Sequence, residues 1–291
     1  MEIGVAKAEI DFALKHLAGW MRDRKVDSPM VNFPSSSWVQ VDPLGVVLVL
    51  GPWNYPLQLL MLPAAQAIAA GNCVLLKPSE SAPATSRLVA RLVPQYMDTS
   101  TIAVVEGAVA EATELLAQRF DHIFFTGGEV VGRIVMAAAA KNLTPVTLEL
   151  GGKCPVYVAA DANIKIAARR ICWGKFFNAG QTCLAPDYVL VDRRVSETLL
   201  QHMKAVTEEF FGGDPRSSPD FARIVNGHHH ARLEAMLAPP EDMMDSGEVF
   251  MGGQSDASDN YIAPTILRKV SPGSLVMQEE IFGPILPVID V

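Results

Sequence analysis

The sequence predicts an α/β protein, a doubly wound parallel sheet followed by a second α/β region. Three observations carry that prediction. Short apolar runs alternate with helix-length segments from Val46 to Leu150. The apolar runs are continuous, as strands buried on both faces require, and do not alternate with polar residues. A hydrophobic content of 49% with 19% charged residues supports a large core and argues against disorder.

The elements follow in order. Ile10, Leu14, Leu17 and Met21 stand at helical spacing and predict an opening helix, after which Val31 to Val41 reads as extended. Val46 to Leu50 is the first buried strand, and Leu59 to Ala70 a helix that Gly71 ends. Cys73 to Leu76 is a strand, Thr85 to Tyr96 a helix and Ile102 to Val105 a strand. Thr113 to Arg119 is a helix, His122 to Phe125 a strand, Glu129 to Lys141 a helix and Val146 to Leu150 a strand. Right-handed crossovers then give a parallel sheet. Beyond Cys154, Val156 to Val158 and Tyr188 to Val191 read as strands, Ile164 to Trp173 and Ser196 to Phe211 as helices. The expected boundary lies at Gly151-Gly152, dividing the 291 residues into 1–150 and 151–291.

Composition excludes several function classes. A net charge of −8 cannot supply the basic face that nucleic acid needs. Four cysteines without a CxxC pattern read as reduced intracellular thiols, and the N-terminus has no signal-peptide core. Pro43 to Leu76 carries no charge and is long enough to span a bilayer, but Pro52, Pro56 and Pro63 break it and four amide side chains interrupt it. It reads as a buried strand, turn and helix. The expectation is a cytoplasmic protein without a transmembrane span.

Ligands bind at the carboxyl ends of such strands. Here those ends carry GPWNYP, KPSE, EG, TGG and ELGGK. There is no GxGxxG and no GxxxxGK[ST] loop. In FFTGGEVVG a strand passes through Gly127 and Gly128 into a helix, which suits phosphate at a helix N-terminus and equally an ordinary turn. Lys77 and Glu80 can hold phosphate and a ribose diol, or form a solvated pair. Glu149 ends an apolar strand, where burial would tune it as a general base; the alternative is a carboxylate reaching solvent or Lys153. Asn54 can donate to a developing oxyanion or bond its own turn.

The stretch NAGQTC places Cys183 behind small polar residues, as a strained turn presenting a side chain would. No histidine follows at the spacing of a Cys-His pair. His228, His229 and His230 read as a solvated run at a helix start, because successive helical positions do not face one metal ion. Cys73, Cys154 and Cys172 lie in apolar contexts and read as core. No metal site is expected.

Taken together, the ordered set GPWNYP, KPSE, FTGG-EVVG, LTPVTLELGGK, FNAGQTC and EEIFGP resembles the aldehyde dehydrogenase superfamily, most closely its class 3 branch. The set runs from Gly51 to Pro284, in the family's order. The resemblance implies that 1–150 is the NAD(P)-binding domain, with 31–42 as oligomerisation arm, and 151–291 the catalytic domain, incomplete at its C-terminal end. It implies Cys183 as nucleophile, the Asn54 amide and Cys183 backbone N–H as oxyanion donors, and Glu149 as the base that activates water. Lys77 and Glu80 match the pair at the adenine ribose, and Gly127 and Gly132 the glycines under the pyrophosphate. Glu280 and Phe282 match the residues at the nicotinamide ribose and ring. NAD or NADP is the implied cofactor, an aromatic or medium- to long-chain aliphatic aldehyde the substrate, and a homodimer the assembly.

Two departures stand out. Gly128 occupies a position where the family usually has Ser or Asn. The chain ends at Val291, soon after EEIFGP, so the resemblance is to a member lacking its C-terminal segment and part of its N-terminal region. The extended arm would then leave a strand edge unpaired. The rival reading is a non-catalytic homologue that binds nucleotide or a full-length partner. A thioester-forming relative that passes the acyl group to coenzyme A is a further alternative, which Glu149 argues against.

Overall fold

The computed structural model describes residues 1–238 and 247–291. The chain forms two compact units, Met1–Leu150 and Gly151–Val291.

The first unit opens with α1 (Glu2–Trp20). Its expected apolar stripe is not buried: Leu14 and Met21 are exposed, and Ala13 is the one buried residue of the helix. The helix instead contributes Glu2, whose Oε2 accepts the Leu57 and Gln58 backbone N–H groups at 2.9 Å each. A carboxylate at those donors caps a helix that has no side-chain cap of its own.

The expected extended piece is partly a turn. A 3₁₀ turn covers Met30–Asn32, and Ser37–Val39 (β2) pairs antiparallel with Arg24–Val26 (β1). The arm therefore already has one strand partner on its own side of the chain.

The main sheet contains Val46–Leu50 (β3), Cys73–Lys77 (β4), Ile102–Val104 (β5), His122–Thr126 (β6) and Val146–Glu149 (β7), in the order β5-β4-β3-β6-β7. All four pairings are parallel. The crossovers carry α2 (Gln58–Ala69), α3 (Pro83–Tyr96), α4 (Val109–Ala117) and α5 (Glu129–Ala140). Alternate residues of β3 serve two cores: Val47 and Val49 join Leu60, Val74 and Leu76, whereas Leu48 and Leu50 join Ile123, Phe125 and Val135. Pro63, read from the sequence as a break, lies inside α2. Packing holds the helix on both sides of the proline, for Leu60 and Ala64 are fully buried. Gly71 ends α2 with φ +86°, the left-handed cap expected of it. The strand order turns back at β3 and β6, so their carboxyl ends flank the switch point where such sheets take ligands.

In the second unit, Pro155–Val158 (β8) leads to α6 (Ile164–Phe176), Tyr188–Val191 (β9) and α7 (Ser196–Phe211). Then come α8 (Gly227–Leu237), Glu248–Met251 (β10), Ser255–Asp256 (β11), Tyr261–Ile262 (β12), Thr265–Arg268 (β13), α9 (Leu275–Gln278) and Ile285–Asp290 (β14). The sheet order is β10-β13-β14-β9-β8, with β10 antiparallel to β13 and the remaining pairs parallel. One continuous core joins the sheet to α6, α7 and α8 through Phe176, Leu199, Met203 and Leu233.

Candidate active site

The tips of the first sheet are built around glycines with distinct tasks. Gly51 N–H donates to the Lys77 carbonyl at 3.0 Å, and a Cβ there would lie 2.9 Å from Leu60 Cδ1. The chain can then turn tightly over α2, leaving Asn54 buried at 7% exposure and Tyr55 at φ +47°. At the end of β6, Gly127 N–H donates to the Glu149 carbonyl at 3.0 Å, and a Cβ on Gly127 would meet Phe125 Cζ at 2.5 Å. Gly132 lets α5 press against Leu150, since its Cβ would approach Leu150 Cδ2 to 2.9 Å. Gly128, the N-cap of α5, has open space where a side chain would go. The departure at this position is thus not a steric requirement of the fold.

Lys77 is drawn inward. Its side chain is 7% exposed, and Nζ donates to the Pro78 carbonyl at 3.2 Å and to Glu80 Oε2 at 3.3 Å. The solvated-pair reading of KPSE is therefore incorrect for the lysine, while Glu80 remains about half exposed. Glu149, at the end of β7, is exposed. The burial expected of it is absent, and β7 stands at the edge of the sheet.

In the second unit, Cys183 is presented by a turn whose strain is visible. Asn178 and Ala179 both have φ +51°, a left-handed conformation that costs a non-glycine residue about 1–2 kcal/mol. Buried Gln181 holds this conformation: its Nε2 donates to the Asn178 and Arg223 carbonyls at 3.0 Å each. Its Oε1 accepts Val225 N–H at 2.9 Å. Gly180 sits at φ +75°, where any Cβ would lie 2.2 Å from the Gly283 carbonyl oxygen. Cys183 itself is half-buried.

Glu280 folds its carboxylate over the glycine pair: a Cβ on Gly151 would fall 1.9 Å from Glu280 Oε2, and Gly152 N–H donates to the carboxylate. Burial raises its pKa, and nearby Asp187 adds to the rise. Phe282 follows in the same loop at φ +49°.

Sequence reading missed the charges behind that loop. Asp187, 3% exposed, pairs with Lys153 and accepts Ile281 N–H at 2.9 Å on Oδ1. Lys153 Nζ also donates to the Val276 and Glu279 carbonyls at 3.1 and 2.9 Å. Lys175 is fully buried, its Nζ without a hydrogen-bond partner among the described residues. Burial pushes it down to about 8, against the pull of Asp187. A lysine among Cys172, Trp173, Phe176 and Phe177 was the available clue.

Two further expectations need correction. His230 is buried, with Nε2 3.1 Å from the Tyr261 carbonyl, because α8 turns that position into the core. His229 is half-buried, and burial lowers its pKa. Cys172 is core, but Cys73 and Cys154 are only partly buried. Among the described residues no group of three His, Cys, Asp or Glu could hold a metal ion, and no helix is long and apolar enough to cross a membrane.

A switch-point sheet with glycine and polar tips, joined in sequence to a second unit with its own sheet, defines a two-part α/β protein. Residues 2–291 match the aldehyde dehydrogenase family, and the chain belongs to it. It is 49% identical over 290 residues to aldehyde dehydrogenase family 3 member B1 of Rattus norvegicus, covering 100% of this chain and 60% of the relative. Among solved structures it is similar to a substrate-bound AldH of Staphylococcus aureus, with TM-score 0.92, 45% identity and coverage of 99% of this chain and 62% of the other. An NADP-dependent enzyme of E. coli aligns with TM-score 0.89 at 27% identity, covering 100% of this chain and 60% of that one. The chain thus spans about 60% of the length of the curated relative.

Proposed function

We propose that this chain serves NAD(P)-dependent oxidation of aldehydes to carboxylic acids. The observation that carries the proposal is the turn at Asn178 and Ala179, strained to φ +51° and locked by Gln181, which presents Cys183. Backbone strain of this kind persists where surrounding structure holds it for a task.

In the proposed reaction the Cys183 thiolate attacks the aldehyde carbon, forming a C–S bond. The oxyanion accepts hydrogen bonds from the Asn54 amide and the Cys183 backbone N–H. A bound nicotinamide would supply the hydride acceptor that turns the resulting thiohemiacetal into a thioester. Glu149 takes a proton from water, the water attacks the thioester, and Cys183 leaves as thiolate with the acid as product. A base for water favours hydrolysis over transfer to coenzyme A.

The chain's residues suit the cofactor. Lys77 and Glu80 would hold the adenine ribose, and the open space at Gly128 before α5 admits a pyrophosphate to a helix N-terminus. Gly127 and Gly132 permit that approach, and Glu280 and Phe282 would hold the nicotinamide end. The NADP dependence of the E. coli relative supports NAD or NADP as cofactor. We further propose an aromatic or medium- to long-chain aliphatic aldehyde as substrate, a cytoplasmic setting and a homodimer using 31–42. The exposure of Glu149 favours a second reading, a homologue that binds nucleotide or a partner without turnover.

The test mixes the purified chain with NAD or NADP and a panel of benzaldehyde-like and fatty aldehydes, following the reduced cofactor. The expected result is turnover that falls on the order of 10⁴–10⁶-fold in Cys183→Ala. A folded chain stabilised by cofactor but without turnover would overturn the enzyme reading in favour of the second.

A further inference from the structure

Cys154 has no part in the reaction proposed above, yet its Sγ donates to the Cys183 carbonyl at 3.4 Å. The two segments are fastened together. Asp187 N–H donates to the Cys154 carbonyl at 2.8 Å, and from there β8 and β9 pair in parallel, with Pro155 opposite Tyr188. On the other side of the turn, Ala185 N–H donates to the Thr182 carbonyl at 3.0 Å. Both cysteines are half-buried. A disulfide needs Cα atoms about 4.4–6.8 Å apart, and here the Cys154 sulfur lies against the backbone of Cys183 itself.

We propose that Cys154 is a resolving thiol, a modification site that captures peroxide-oxidised Cys183 as a Cys154–Cys183 disulfide. This rests on the reading of Cys183 as the reactive thiol. In the first step the Cys183 thiolate attacks hydrogen peroxide; an S–O bond forms, the O–O bond breaks, and hydroxide leaves. Cys183 sulfur is oxidised and the peroxide reduced. In the second step Cys154 sulfur attacks the sulfenic sulfur; the S–S bond forms, the S–O bond breaks, and water leaves carrying the Cys154 proton.

The surroundings assign the order of the two thiols. Burial holds the Cys154 thiol up, and Glu280 and Asp187 add to that, so at neutral pH it stays protonated and a poor target for peroxide. It reacts only once the neighbouring sulfur has become electrophilic. Lys175, whose buried Nζ has no hydrogen-bond partner among the described residues, favours the Cys154 thiolate as it forms. Cys172 shows the contrast: it is fully buried and pushed up to about 12, with its Sγ against the Met203 carbonyl at 3.5 Å. A sulfenic acid without a resolving partner passes on to sulfinic acid, which reductants do not reverse. The disulfide would hold Cys183 in a recoverable state.

The experiment treats the full chain with hydrogen peroxide, alkylates remaining thiols with iodoacetamide, digests without reductant and maps peptides by mass spectrometry. Trypsin releases Cys154 in residues 154–165 and Cys183 in residues 176–193. The expected product is these two peptides linked, lighter by two hydrogen atoms than their reduced sum, and dithiothreitol restores both. In Cys154→Ser and Cys154→Ala the same dose takes Cys183 to sulfinic acid, and dithiothreitol restores nothing. Sulfinic Cys183 in the unsubstituted chain without a linked pair would overturn the inference alone, as would linkage to Cys73. A folded chain whose Cys183 resists both peroxide and iodoacetamide would overturn the nucleophile reading and this inference with it.

Discussion

In the first unit the carboxylates Glu149 and Glu80 reach water at strand tips, whereas the second unit draws Asp187 and Lys175 inside. Glu149 is exposed, and Glu80 is about half exposed even while it pairs with Lys77. Lys175 is fully buried and Asp187 nearly so. A tip carboxylate keeps its hydration, contributes little to stability and remains available to a ligand. An interior one has lost its hydration and must be matched. Asp187 meets that requirement by holding Lys153 and the Ile281 N–H together, and in doing so it pins the loop that carries Glu280 and Phe282. The contrast teaches that an exposed tip carboxylate keeps its hydration, while the buried Asp187 fixes a loop of the second unit.

Substitutions can break that contrast. The largest effect is expected from Asp187→Ala, which leaves Lys153 and Lys175 without their buried counter-charge and Ile281 N–H without an acceptor. Chemical denaturation should show a loss of about 3–5 kcal/mol, and Asp187→Asn a smaller one. A loss below that of an ordinary surface change would mean that the pair is not structurally needed.

Lys175→Met sharpens the comparison from the opposite side. The lysine is pushed down from 10.5 to about 8, so between those values the unfolded chain holds a proton that the folded chain has released. Stability contributed by this group therefore rises as pH increases through that window, by on the order of 3 kcal/mol. The methionine variant should be more stable than the parent at pH 7, with the gap closing toward alkaline pH in urea titrations. A variant less stable at every pH would show that the buried ammonium is satisfied after all.

The smallest effect is expected at the exposed tip. Glu80→Ala should change stability by no more than about 1 kcal/mol, while weakening NAD or NADP binding measured by calorimetry. Unchanged cofactor affinity would remove Glu80 from the proposed site.

Much of the first unit was legible because its determinants are local. The continuous run Val46–Leu50 became a strand serving two cores, and Gly71 stood where a left-handed cap was required. Gly127 and Gly132 were read through the resemblance as glycines under a pyrophosphate, and the packing partners that also demand them, Phe125 and Leu150, were not legible. Legibility fell in the second unit because its sheet is assembled at long range. β14 enters between β9 and β13, and no periodicity in Ile285–Asp290 announces that position. His230 looked like one of three equal histidines until α8 turned it inward.

The order of motifs from Gly51 to Pro284, and with it the family, was determined by sequence alone, and the same motifs single out Cys183 as the proposed nucleophile, because residue types at fixed spacing specify local turns and the chemistry they bear. Only the tertiary structure decided that Glu149 faces water, that Lys175 and Asp187 are interior, and that Cys154 lies against Cys183. Burial and cross-strand contact depend on residues far apart in the chain, and a one-dimensional pattern does not contain those distances.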